Sequence, residues 1–304
     1  MKYKKQKGLI AAVHTPLNND LSINYNYIEK QAIHLLKHNI SGVYVGGTTG
    51  EGLLFSNKER SELFKAWGEI TKYNRLIFFA NISHKNQSSS SKLAIEAQNS
   101  GADFISSLCL DPNVNSPKDL VKWLKPILNT TPDIPYYYYE SPKFSGKKIN
   151  MEDFLIISNK ELKSLVGLKY NNSNLEMLKR CINLNNRKYD ILFGVDEMLI
   201  SGLELGCTGA IGSSYNFAGL IYNEIIKNFN ADKKNIAKNL QEFSIKFIKI
   251  LSKHNYLPSS KIIMNEIGIN CGSCRDKNNH LENEQIKSLY NELNEINFFK
   301  KIKI

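Results

Sequence analysis

Short runs of apolar and β-branched residues alternate along the chain with longer segments whose apolar positions recur every three and four residues. The short runs are GLIAAVHTPL (residues 8–17), SGVYVGG (41–47), RLIFFANIS (75–83), ADFISSLCL (102–110), IPYYYYES (134–141), SLVGLKY (164–170), DILFGVDE (190–197) and TGAIGSSY (208–215). Each has the length of a strand and is nearly continuous in apolar residues, as a strand covered on both faces must be. The segments between them include NYNYIEKQAIHLLKHN, SNKERSELFKAWGEITKYN, SPKDLVKWLKPIL and NLEMLKRCINLN. They carry a helical apolar stripe, and their starts carry Ser or Asn caps. Eight strand-helix units predict an α/β fold whose parallel sheet closes into a (β/α)8 TIM barrel. The first strand-to-helix junction, AAVHTPLNND, holds no G-x-G-x-x-G, which argues against an open dinucleotide-binding sheet. From about Ala231 the pattern is helical only, with no Gly- or Ser-rich linker before it. Residues 1–230 are therefore expected to form the barrel, and residues 231–304 a C-terminal helical extension packed on it.

Composition narrows this picture. A chain of 304 residues matches one barrel plus an extension, and 42% hydrophobic, 23% charged and 10% aromatic residues are those of a soluble globular protein. The net charge of +11 raises the question of nucleic acid, because clustered lysines neutralise phosphates. Lysines are dense only at residues 2–7 and 300–304; elsewhere they alternate with Glu and Asp, the pattern of a solvated face. No nucleic-acid partner is expected. Five cysteines, an odd number, favour a reduced intracellular protein. CGSC (Cys271 and Cys274) has metal-ligand spacing, but with only His280 nearby it falls short of four ligands, so no metal is expected. Neither a long uninterrupted apolar stretch nor a signal-peptide core is found, so the expected compartment is the cytoplasm, away from the membrane.

Barrel enzymes gather their chemistry at the carboxyl ends of the strands. The second strand ends in GGTTGE, where Thr48 and Thr49 offer hydroxyls and amides suited to a carboxylate or phosphate; the same residues would serve an ordinary capped turn. The fifth strand ends in four tyrosines, two inward and two outward by alternation, of which Tyr139 lies nearest the carboxyl end. Gly194, Asp196 and Glu197 follow the seventh strand, and GSSY, with Ser213, follows the eighth. The two acids also suit the first turn of a helix. Lys169 ends the sixth apolar run. Such a lysine snorkels, pairs with a carboxylate, or acts as an amine nucleophile. Freeing an ordinary lysine of its proton costs about 4 to 5 kcal/mol at pH 7, and apolar burial lowers that cost.

Taken together, GGTTGE, Tyr139 in YYYYESPKFSG, Lys169 in GLKY and FGVDEMLISGLELGCTGAIGSSYN resemble the N-acetylneuraminate lyase and dihydrodipicolinate synthase family of pyruvate-dependent aldolases. The resemblance runs in order over about residues 8–222, with a family-like helical tail. Within the family, GVDE is similar to the sialic acid lyase branch, and the loop ESPKFSG has Lys143 where the synthase branch usually has an arginine. Departures are Leu110 and Asp111 where many relatives place an aromatic residue after the fourth strand, Glu140 and Ser141 before the proline, and Asn171 where Thr or Ser is usual.

The resemblance implies cleavage of the sialic acid N-acetylneuraminate to N-acetylmannosamine and pyruvate through a Schiff base, with no metal or organic cofactor. In this reading Lys169 is the nucleophile, Tyr139 moves protons, Thr48 and Thr49 hold the carboxylate, and Gly194, Asp196, Glu197 and Ser213 bind the polyhydroxyl chain. It also implies a homotetramer. The nearest rival is another pyruvate-dependent aldolase, dihydrodipicolinate synthase or a 2-keto-3-deoxy sugar acid aldolase. A more distant one is a non-catalytic regulator or basic nucleic-acid binder on an inherited barrel.

Overall fold

Every predicted apolar run forms a strand, and the order is strict: each strand is followed by helix and pairs in parallel with its neighbours in sequence. The computed structural model describes residues 3–303, so Lys2 and Ile304, at the tips of the two basic ends, lie outside the described residues. The strands are β1 Gly8–Ala12, β2 Gly42–Val45, β3 Ile77–Asn81, β4 Phe104–Ser107, β5 Tyr136–Glu140, β6 Leu165–Tyr170, β7 Asp190–Phe193 and β8 Gly209–Gly212, and β8 returns to pair with β1, closing the TIM barrel. The helices of the barrel are α1 Asn26–Lys37, α2 Asn57–Thr71, α3 Gln87–Asn99, α4 Pro117–Asn129, the short α5 Pro142–Ser145, α6 Met151–Glu161, α7 Leu175–Arg187, α8 Leu199–Leu205 and α9 Tyr215–Asn230. Four more helices follow: α10 Lys234–Lys253, α11 Tyr256–Glu266, α12 Asn283–Glu295 and α13 Phe298–Lys301.

The caps read from sequence hold α2, α4 and α7, where Ser56, Ser116 and Asn174 accept backbone N–H bonds, and Asn86 and Asn150 cap α3 and α6 in the same way. At α1 the cap differs from expectation: Tyr25 takes the N-cap position with no side-chain bond. The backbone N–H of Asn24 instead donates to the carbonyl of Pro16.

Alternation along the strands divides the core in two. Ile10, Ala12, Tyr44, Phe79, Tyr137 and Leu192 fill the barrel interior, while the opposite strand faces pack under the helices. In β5, Tyr137 and Tyr139 point inward and Tyr136 and Tyr138 outward, as the period of two requires.

Strand β6 breaks that period, and the break positions the site. Tyr136 pairs with Leu165 but Tyr137 pairs with Gly167, so Val166 is an extra residue, a β-bulge. Val166 points inward; strict alternation from it would turn Leu168 inward and Lys169 outward. The bulge shifts the phase by one residue. Leu168 joins the outer core, and Lys169 enters the barrel mouth between Tyr139 and Leu192. Gly167 permits the close approach, since a Cβ there would lie 1.8 Å from the carbonyl oxygen of Asp190.

Candidate active site

At the carboxyl ends of the strands lies a cavity of about 460 Å³. Its wall includes all eight site residues expected from sequence: Thr48 and Thr49 after β2, Tyr139 on β5, Lys169 on β6, Gly194, Asp196 and Glu197 after β7, and Ser213 after β8. The C-terminal helices complete it with Ile248, Ser252, Asn255, Tyr256 and Leu257.

Lys169 is 5% exposed, and its Nζ lies 4.0 Å from the ring centroids of both Tyr44 and Tyr139. Burial lowers its pKa to about 7, against the opposing pull of the Asp196 charge. At neutral pH about half of the side chain is therefore the free amine, a gain of roughly a thousandfold over an ordinary lysine. Tyr139 is buried beside it, and burial raises its phenol pKa. The side chains of Thr48, Ser141 and Asn171 oppose the rise by hydrogen bonding, while the Asp196 charge adds to it. Asn171, the departure noted from the family pattern, has found partners: its Nδ2 donates to Ser141 Oγ at 3.0 Å and approaches the Tyr139 hydroxyl at 3.5 Å.

Asp196 and Glu197 lie in the first turn of a 3-10 helix, where acids are favoured, and the Asp196 side chain also reaches across to Ser214. Asp196 is buried, and its Oδ2 accepts from the backbone N–H of Ser214 at 3.0 Å and from its hydroxyl at 2.5 Å. Oδ1 is buried and makes no close hydrogen bond among the described residues; the hydroxyl of Tyr215, which also makes none, acts on the same carboxylate. Burial first, and then the Glu197 charge, push this carboxyl up to about 6. Gly212 makes the room, since a Cβ there would fall 1.9 Å from Oδ1. Ser213 Oγ shares a hydrogen bond of 2.7 Å with the hydroxyl of Tyr256 at the start of α11.

Two supports from the C-terminal region were not anticipated. Gln241 on α10 holds the turn after β7: its Nε2 donates to the Asp196 carbonyl at 3.0 Å, and its Oε1 accepts from the Ile200 N–H at 3.1 Å. Glu51, at the end of GGTTGE, adopts the left-handed region with φ 55° and pairs with Lys261 on α11 at 2.7 Å. Both partners are buried. Lys261 also donates to the carbonyls of Ser273 at 2.7 Å and Thr15 at 3.3 Å, while the Arg275 N–H donates to Glu51 Oε1 at 2.7 Å. The Thr48–Thr49 turn is thus tied to the far end of the chain. Tyr44, Gln241, Tyr256 and Lys261 carry no local signal in sequence, because what they do depends on contacts between distant segments.

Cys271 and Cys274 are buried free thiols in the loop around Lys261, and burial raises the pKa of each to about 12. Among the described residues, no group of three or more His, Cys, Asp or Glu side chains could hold a metal ion, and no helix is long and apolar enough to cross a membrane.

A family model described as the dihydrodipicolinate synthetase family matches residues 5–296. N-acetylneuraminate lyase of Rattus norvegicus is 34% identical over 267 residues, covering 86% of this chain and 83% of that one. Among solved structures, N-acetylneuraminate lyase of Proteus mirabilis superposes with a TM-score of 0.93 at 32% identity, covering 97% of this chain and 100% of that one. N-acetylneuraminate lyase (sialic acid aldolase) of Aliivibrio salmonicida also superposes with a TM-score of 0.93, at 33% identity, covering 97% of this chain and 98% of that one.

Proposed function

The chain belongs to the dihydrodipicolinate synthetase family, and from that footing we propose that it is an N-acetylneuraminate lyase, a carbon–carbon lyase that releases N-acetylmannosamine and pyruvate. The observation that carries this reading is the company Lys169 keeps. A buried amine of lowered pKa faces the same cavity as Tyr139, the Thr48–Thr49 turn and a hydroxyl-accepting carboxylate.

The chemistry follows from those positions. The free amine of Lys169 attacks the ketone of the open-chain sugar acid; the carbinolamine takes up a proton and loses water, leaving a protonated Schiff base. That iminium accepts the electron pair of the C3–C4 bond as it breaks. Tyr139 takes the proton from the C4 hydroxyl, and the aldehyde of N-acetylmannosamine departs. Tyr139, whose pKa is raised by burial, starts as the neutral phenol, so as it takes the C4 proton its own hydroxyl proton passes to the bound substrate carboxylate. The resulting enamine is reprotonated, and water releases pyruvate from Lys169. The hydroxyls and amides of Thr48 and Thr49 hold the substrate carboxylate. Gly194, Asp196, Glu197 and Ser213 read the polyhydroxyl chain through hydrogen bonds.

Lys143 lies on the cavity wall in the short helix α5, in place of the arginine usual in the synthase branch, which favours the lyase over the synthase. The chain acts as a cytoplasmic homotetramer in this reading, which light scattering tests. The function is tested by a pyruvate-release assay over a panel of sialic acids and other 2-keto-3-deoxy acids, with aspartate semialdehyde plus pyruvate as the competing condensation. N-acetylneuraminate is expected to be cleaved best. Turnover confined to aspartate semialdehyde would replace the lyase with the synthase.

A further inference from the structure

Lys169 stands between two aromatic faces. Its Nζ is 4.0 Å from the ring centroid of Tyr44 on β2 and 4.0 Å from that of Tyr139 on β5. The two rings meet edge to face, with centroids 6.0 Å apart and planes at 77°. Tyr44 is fully buried and points its hydroxyl away from this contact, where it accepts from Asn81 Nδ2 at 2.7 Å and donates to Ser106 Oγ at 3.1 Å. Asn81 is fixed in turn by Arg60, whose Nη2 donates to the Asn81 carbonyl at 2.5 Å. The phenol is thus locked by its far end, and what it presents to Lys169 is its ring.

We infer that the π face of Tyr44, together with that of Tyr139, stabilises the iminium cation formed on Lys169, which makes Tyr44 a catalytic residue of the proposed cleavage. This rests on the lyase reading and adds to it a group for which the motif resemblance gives no role. A ring face carries negative electrostatic potential and attracts a cation within about 6 Å, most strongly where water is excluded. When the free amine condenses with the ketone, a carbon–nitrogen double bond replaces the carbon–oxygen one, one proton is taken up and one water leaves. The charge gained with that proton sits on the nitrogen that faces both rings. Among the described residues no carboxylate pairs with Lys169 at contact distance; Asp196 acts on it as a nearby charge and the rings as direct neighbours.

The effect has a pH signature. Above about pH 7 the reactant is a neutral amine and the product a cation, so the rings favour the adduct. Below it the reactant is already an ammonium, the rings stabilise both sides, and their influence on the equilibrium cancels. The titratable groups that face Lys169 are Tyr44 from β2, Tyr139 from β5 and Asp196 from the turn after β7. Asp196 titrates in the same range but is common to every protein compared, so its contribution drops out.

The test replaces Tyr44 by phenylalanine and then by mono-, di- and trifluorinated phenylalanines, which keep the ring in place while draining its face of negative potential. For each full-length protein, the pyruvate concentration that half-saturates cyanoborohydride trapping on Lys169 is measured about two units above and about one unit below pH 7. On the alkaline side the half-saturating concentration is expected to rise stepwise with each fluorine, to about tenfold across the series. On the acid side the series flattens. A flat series at the alkaline pH, with adduct formed in every protein, overturns the role of the Tyr44 ring and leaves the lyase reading standing. Absence of any adduct in the unmodified protein overturns the Schiff-base reading, and this inference with it.

Discussion

At Lys169 two demands on one residue conflict. A barrel strand is stabilised by apolar side chains, whereas Schiff-base chemistry needs an amine in the same place. The lysine is legible in sequence as the polar end of an apolar run, but its direction is not. Counting in twos from Val166 points it outward, and only the bulge, which exists because Tyr137 pairs with Gly167, turns it in. Burial then lowers its pKa to about 7 from 10.5, and the stability consequence has a definite sign. Above about pH 10.5 both folded and unfolded states hold the neutral amine. As pH falls towards 7 the unfolded chain gains a proton that the folded chain does not, so stability falls, and below 7 the full cost is present. Lys169→Met is therefore expected to be more stable than the native chain at pH 7, by on the order of 4 kcal/mol, with the difference shrinking towards pH 10. Denaturant unfolding at the two pH values measures it; a gain that does not change with pH would refute the buried-amine account. At Asp196, replacement by Asn removes a charge that holds the Lys169 pKa up, so the acid limb of the activity profile should move to lower pH. Weakening one acceptor for the sugar should also raise KM about tenfold. A limb that moved to higher pH would contradict the assigned coupling.

The elements were the most legible level. Eight strands and the helices between them follow from periodicity, and three of the helix starts from Ser or Asn. What periodicity could not show was how the loops are held, because that depends on partners far along the chain. GGTTGE reads as a turn that could receive an anion, but nothing local says that Glu51 is strained and buried against Lys261 of α11. Nor does anything in α10 say that Gln241 clamps the turn bearing Asp196. A buried ion pair adds little net stability, yet breaking one side leaves a charge without compensation. Glu51→Gln is expected to destabilise the fold by about 3 to 5 kcal/mol, and Glu51→Gln with Lys261→Met to recover most of that loss in denaturant unfolding. Additive losses in the double variant would mean the two residues act independently.

For the whole molecule, the barrel supplies the chemistry and the C-terminal helices finish the cavity. Tyr256 binds Ser213, Lys261 anchors the Thr48–Thr49 turn, and Gln241 holds the turn after β7. The four motifs lie far apart in sequence, and their meeting in one cavity follows from a general property of the fold, that all strand ends of a parallel barrel open on one face. The central claim is that this face does its work through a covalent bond to one lysine. Its most direct test is borohydride reduction of the protein in the presence of N-acetylneuraminate, followed by peptide mass mapping. The account predicts a reduced pyruvyl adduct on Lys169 alone, with cleavage activity lost in step with its formation. An unmodified Lys169 in protein that still releases pyruvate would contradict it.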